Sequence, residues 1–238
     1  MYEPFVKLPC VLLATLGLHI SFTPPGVSSE KDEAPIQNGW DRYLKTMIKL
    51  LKPIKGVLWA ICAAEIINIV ATNFTLSRHL VHILSTLFLY GSAQNLYLTP
   101  LSAVGVLLIV FGTLLQLQCH RVMMHLFTFE HAIRIDHNLI ITGPYNVVRH
   151  PGYAGLLVTY IGAFLWYGSE GSWLRESGIL ETLAGRTFFA AFALAMVGLL
   201  FGLLKRMRAE DGALKEVYGY EWVEWTERVQ YSLIPYLY

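Results

Sequence analysis

The sequence predicts an all-α, polytopic membrane protein with about six transmembrane helices, built as a single domain over residues 1–238. Three observations carry this. The chain is 55% hydrophobic and only 15% charged, whereas a soluble domain averages about a quarter charged residues. Its mean hydropathy is +0.47. The apolar excess comes in blocks rather than being spread along the chain.

Taken in order, residues 8–22 form a short apolar block. Phe22-Thr23-Pro24-Pro25 is a poor small-residue cleavage site, so this block reads as a retained first span rather than a signal peptide. A polar loop follows over residues 23–38. Residues 40–55 set Tyr43, Leu44, Met47, Ile48 and Leu51 against Arg42, Lys45, Lys49 and Lys52, the pattern of an amphipathic interfacial helix. The second span is expected at 54–74, the third at 79–98 and the fourth at 101–120, with Thr99-Pro100 as the tight connection between the last two. The fourth is expected to run on as helix towards Phe129. The fifth is expected at 151–167 and the sixth at 186–204, running on as helix into Leu214. Gly198 and Gly202 in the sixth form a small-xxx-small pattern suited to close packing.

Composition also excludes some functions. A net charge of +1 argues against an electrostatic nucleic-acid binder. Cys10, Cys62 and Cys119 are isolated in apolar segments, so no disulfide framework or zinc site is indicated. His120, His125 and His131 are spaced by five and six residues, which does not stack them on one helix face, and no metal site is assigned. Glu65, within the second span, is either functional or a partner in a helix–helix hydrogen bond.

Lys205, Arg206, Arg208 and Lys215 follow the last span, and Arg121, Arg134 and Arg149 lie between spans four and five. Two spans separate these groups, so they share a side, and the positive-inside rule makes it the cytosol. A six-span count then puts the Lys-rich 40–55 segment on the opposite side, against the same rule, unless one short segment is re-entrant or interfacial.

The most informative stretch is the loop between spans four and five. It reads Gly143-Pro144-Tyr145, then Arg149-His150-Pro151-Gly152-Tyr153. Pro fixes φ and restricts the residue before it, so the loop is built to hold one shape. Past the last span comes Arg206-Met207-Arg208-Ala209-Glu210-Asp211. Ionisable groups at a membrane edge are costly and usually functional. Arg206 and Glu210, at i,i+4, share a helix face.

With Phe127–Glu130, His137-Asn138-Leu139-Ile140-Ile141-Thr142 and Tyr218-Gly219-Tyr220-Glu221-Trp222, these motifs occur in an order that resembles the protein-S-isoprenylcysteine O-methyltransferase family, and more distantly the membrane phospholipid N-methyltransferases. The resemblance covers roughly the C-terminal half, residues 126–238. Residues 1–125 match only as apolar spans with the amphipathic segment. It implies a site for S-adenosylmethionine on the cytosolic side, formed by the loop between helices 4 and 5 and the C-terminal segment. The cofactor residues it implies are Glu130, His137, Asn138, Leu139, Ile140, Tyr145, His150, Pro151, Gly152, Tyr153 and Glu210. It implies a substrate-side role for Arg206, which with Arg149 would hold an acceptor carboxylate. Two departures are visible: Asp211 stands where the family usually has Glu, and Gln230 stands where Pro usually follows Arg228-Val229.

The resemblance further implies prenylated CaaX-type proteins as substrates and an endoplasmic reticulum membrane with the site facing the cytosol. Residue chemistry is consistent with it. An acidic side chain can hold ribose hydroxyls or an amino group, and aromatic rings can face adenine or a sulfonium. The chain has no Gly-x-Gly-x-x-Gly, which disfavours a Rossmann site. Two alternatives stay open: a methyltransferase acting on a lipid amine, and a non-catalytic lipid-binding membrane protein.

Overall fold

The computed structural model describes residues 4–23, 39–73, 95–123 and 139–236. Outside them lie nearly all of the expected third span, the 124–129 extension of the fourth, and His125, Glu130, His131, His137 and Asn138. The described residues form seven α-helices and no strand: α1 (Pro4–Ser21), α2 (Gly39–Asn73), α3 (Pro100–Met123), α4 (Pro151–Gly168), α5 (Trp173–Glu176), α6 (Leu183–Tyr218) and α7 (Tyr220–Arg228). The 3-10 turns Gly143–Asn146 and Ile179–Glu181 complete the order.

Three stretches are long and apolar enough to cross a membrane: Lys49–Asn73 of α2, α3, and α6. α1 and α4, at 18 residues each, reach about 27 Å at 1.5 Å per residue. That nearly matches a hydrocarbon core of about 30 Å. The first, second, fourth, fifth and sixth expected spans therefore all fall on helices.

Two boundaries differ from expectation. Residues 96–98, at the end of the expected third span, are not helical. The amphipathic segment and the second span are one unbroken helix, α2, with Pro53 inside it. Pro removes one i→i−4 bond, a loss that flanking helical turns tolerate in membrane helices. The sixth span does run on as helix, past Leu214 to Tyr218.

Local chemistry sets the helix ends. Thr99 and Ser102 exchange bonds at the start of α3: Thr99 N donates to Ser102 Oγ (2.9 Å) and Ser102 N to Thr99 Oγ1 (3.0 Å). This is a reciprocal cap with Pro at the first helical position. Thr182 Oγ1 caps α6 by accepting from Gly185 N at 2.9 Å. Gly219, at φ 52°, turns the chain between α6 and α7, a conformation that suits glycine.

α3 and α4 approach closely through glycines spaced seven apart on both helices. A Cβ on Gly105 would lie 2.9 Å from Gly162 O, and one on Gly112 would lie 2.5 Å from Gly155 O. Small residues let membrane helices touch backbone to backbone. This contact dominates the helix packing among the described residues. Gly112→Ala should therefore lower stability by about 1–3 kcal/mol, the usual cost of overpacking. A thermal unfolding scan in detergent checks this, and an unchanged midpoint would contradict the packing.

Polar side chains tie α1 into the same unit. Thr113 Oγ1 donates to Gly17 O at 3.1 Å, and Gln116 Nε2 donates to Ser21 Oγ. Lys7 of α1 pairs with Glu65 of α2, their side chains 1% and 2% exposed. The Lys7 ammonium also sits 5.6 Å over the Trp166 ring and donates to Gly171 O. Glu65 is thus engaged in helix–helix contact at the end of α4 away from His150, as a buried charge requires.

Candidate active site

α4 begins at a proline, and the residue before it does not cap the helix. His150 is the N-cap residue, with no side-chain cap bond and Pro151 following. An N-cap side chain ordinarily bonds to the first turn. The His150 ring instead points to α6, where Nε2 lies 3.0 Å from Asp211 Oδ1 and Nδ1 lies 3.8 Å from Glu210 Oε2. His150 is 8% exposed and stacks on Tyr153, ring centroids 5.7 Å apart.

Glu210 is the centre of the cluster. Tyr153 OH donates to its Oε1 at 2.7 Å, and Arg206 Nε donates to the same oxygen at 2.9 Å. Arg206 and Glu210 share a face of α6, as their spacing predicts. Arg149 Nη1 faces Asp211 Oδ2 at 3.3 Å. The elements meet as two cations, one imidazole, one phenol and two carboxylates. Each carboxylate is compensated by at least one donor, which a partly buried charge needs.

Tyr145 lies in the wall behind. It is buried among Cys119, Trp222, Trp225 and Val229, with Leu139 and Ile140 packed against that group. Its OH donates to Met123 Sδ at 2.9 Å. Burial pushes the Tyr145 phenol well above its ordinary range, with Cys119 and Glu210 adding to the shift, so the group stays a protonated donor near neutral pH.

Beside the cluster, α4, α6 and Leu233 line a half-open apolar pocket of about 370 Å³, with Tyr153, Leu157, Leu200, Leu204 and Met207 among its walls. Tyr153 belongs to both places, since its OH reaches Glu210 and the residue also lines the pocket. Polar cluster and apolar cavity therefore adjoin.

Of the residues expected from sequence, the structure brings together Arg149, His150, Tyr153, Arg206 and Glu210. Leu139, Ile140 and Tyr145 form the wall. Pro151 is fully buried as the first residue of α4. Gly152 opens on space, with nothing within 4 Å of an added Cβ. Glu130, His137 and Asn138 lie outside the described residues. Sequence reasoning missed the role of Asp211, noted there only as a departure, and the part played by Tyr231 and Ser232. Arg149 N donates to Tyr231 O (3.0 Å) and His150 N to Ser232 O (2.8 Å).

The donor set suits a cationic nucleoside. Oε1 of Glu210 accepts two bonds, and a carboxylate has about four acceptor positions, so capacity remains for a hydroxyl or ammonium. Two tyrosines and a histidine supply aromatic faces for a ring or a cation.

Comparison with known proteins points the same way. Residues 100–175 match the family model described as phospholipid methyltransferase, a stretch from α3 through the His150 loop to α5. The chain is similar to a probable protein-S-isoprenylcysteine O-methyltransferase of Oryza sativa subsp. indica, at 26% identity over 71% of this chain and 83% of the relative. The same figures hold for its counterpart in Oryza sativa subsp. japonica. Protein-S-isoprenylcysteine O-methyltransferase B of Arabidopsis thaliana is 27% identical over 46% of this chain and 48% of its own. No solved structure matches significantly. These matches bear out the family resemblance carried by the motifs, and methyl transfer is the reaction class on which they agree.

Proposed function

We propose that this chain is a membrane methyltransferase that uses S-adenosylmethionine to esterify the C-terminal carboxylate of a prenylated cysteine on lipidated, CaaX-type proteins. The observation that carries the reading is the junction of the Arg206–Glu210–Tyr153 cluster with the apolar pocket. A prenylcysteine has the matching two ends, an apolar chain and an anionic carboxylate. Its chain partitions into lipid, which accounts for a membrane enzyme.

Glu210, His150 and Tyr153 would hold the cofactor's polar groups, with Tyr145, Leu139 and Ile140 as the wall; Glu130, His137 and Asn138 are proposed for the same site by resemblance. When bound, S-adenosylmethionine would supply an electrophilic methyl on a positive sulfur, with a neutral thioether as the leaving group. Arg206, with Arg149, would hold the acceptor carboxylate in line. A carboxylate is already ionised at neutral pH, so no general base is assigned. Charge is lost in the step, so the burial of His150, with Tyr153 half-buried beside it, favours it, and alignment supplies much of the rest.

The orientation we propose has the site facing the cytosol, and the same contacts support it. His150 at the start of α4 touches Asp211 of α6, so both ends lie on one side of the membrane. Lys205, Arg208 and Lys215 flank them, which by the positive-inside rule makes that side cytosolic. The endoplasmic reticulum is the membrane proposed.

The match to the phospholipid methyltransferase model favours a second reading, in which the acceptor is a lipid amine. The acceptor role proposed for Arg206 opposes it, because a guanidinium facing the acceptor would repel a cationic head group. Purified protein given labelled cofactor should methylate farnesylcysteine but not its carboxamide, which lacks the anion. Equal labelling of both would defeat the proposal.

A further inference from the structure

The chain after α7 returns across the start of α4 as a strap. Val229 and Leu233 are 3% and 8% exposed, so an apolar anchor pins each end. Val229 packs with Trp225, Cys119 and Tyr145, and Leu233 lines the apolar pocket. Between the anchors, Tyr231 O accepts from Arg149 N and Ser232 O accepts from His150 N. The Ser232 hydroxyl accepts from Arg149 Nη2.

Ser232 thus holds both residues of the Arg149-His150 pair, one by main chain and one by side chain. Those two residues are the ones that face Asp211, at 3.3 Å from Arg149 Nη1 and 3.0 Å from His150 Nε2. The guanidinium has little else to orient it: Arg149 Nε is buried without a hydrogen-bond partner among the described residues. A long flexible side chain with one ion-pair contact loses register easily, and a second bond at the same end fixes its plane.

We infer that Ser232 is a positioning residue of the site: its hydroxyl sets the plane of the Arg149 guanidinium, which holds Asp211 where Asp211 orients the His150 ring. This rests on the reading of the site proposed above. Ser232 touches neither substrate nor cofactor in this account and acts through Arg149. The sequence hid it, because a single serine among the apolar and aromatic residues of 229–238 carries no period and no motif.

The test uses the full chain in detergent with Ser232→Ala and Ser232→Thr. Titration calorimetry with S-adenosylmethionine should show the dissociation constant of the Ala variant raised about three- to tenfold, the scale of one ordinary hydrogen bond. Binding stoichiometry should be unchanged, and Thr, which keeps the hydroxyl, should restore the wild-type constant. A merely structural serine would lower the stoichiometry and leave the constant alone, and that result overturns the inference, as does an unchanged constant at full stoichiometry. Hydrogen exchange at the Arg149 guanidinium, followed by NMR, gives a readout without cofactor, since the Arg149 and His150 amides bond to main-chain oxygens that alanine keeps. Exchange should quicken severalfold in the Ala variant and return with Thr. If the wild type binds no cofactor, the proposed function fails, and exchange alone decides the strap: unchanged rates overturn it and quickened rates support it.

Discussion

Arg206→Ala should cut methyl transfer to farnesylcysteine by about a hundredfold or more, the scale of a lost charge-assisted hydrogen bond at a desolvated carboxylate. The acceptor anion leaves water to react, and an uncompensated charge there is expensive. The effect on the cofactor should be smaller. Arg206 gives Glu210 one of the two bonds on Oε1, and Tyr153 gives the other. Glu210 therefore keeps a tether, and cofactor affinity should fall by less than about tenfold. Arg206→Lys should recover only part of the transfer, because an ammonium cannot reproduce a bidentate fork. Steady-state kinetics on the acceptor and calorimetry on the cofactor separate the two effects. Parallel losses in both would mean that Arg206 serves Glu210 and not the acceptor.

Glu210→Ala should show the converse, with cofactor affinity down by about ten- to a hundredfold while the protein stays folded. Removing this carboxylate strips Tyr153 OH and Arg206 Nε of a shared acceptor. It also removes the Glu210 carboxylate from the Arg206 side chain, which is 13% exposed. His150→Ala should weaken cofactor binding too, towards the lower end of that range, since Asp211 keeps Arg149 at 3.3 Å. Cofactor affinity that is unchanged in both variants, measured by calorimetry in detergent, would remove these residues from the site.

Much of this was legible in the sequence because it is local. Apolar runs long enough for a span become helices in a membrane whatever else the chain does, so five expected spans coincide with helices. The Arg206–Glu210 pair follows from helix pitch alone. The Pro-flanked loop holds His150 at a helix start, as its two prolines implied. What stayed hidden depends on which elements meet. Lys7 lies just before the apolar run of the first span, yet α1 begins at Pro4 and carries Lys7 to Glu65. The seven-residue spacing of Gly105 and Gly112, and of Gly155 and Gly162, is plain on the page, but it has meaning only once α3 and α4 are known to pair. The amphipathic segment and the second span read as two elements because the apolar pattern changes near residue 54, yet they form one helix with Pro53 inside it. Asp211 stood in the sequence only as a departure from the family's usual Glu, and the fold brings the Arg149-His150 pair against it.

The reading turns on the chemical form of the transferred methyl. Purified protein in phospholipid micelles containing an ethanolamine lipid, given farnesylcysteine and methyl-labelled S-adenosylmethionine, should yield label that mild alkali releases completely as volatile methanol. Only a carboxyl methyl ester behaves in that way. Label that resists alkali and travels with the phospholipid would mean N-methylation of a lipid amine, and would contradict both the acceptor proposed and the role given to Arg206.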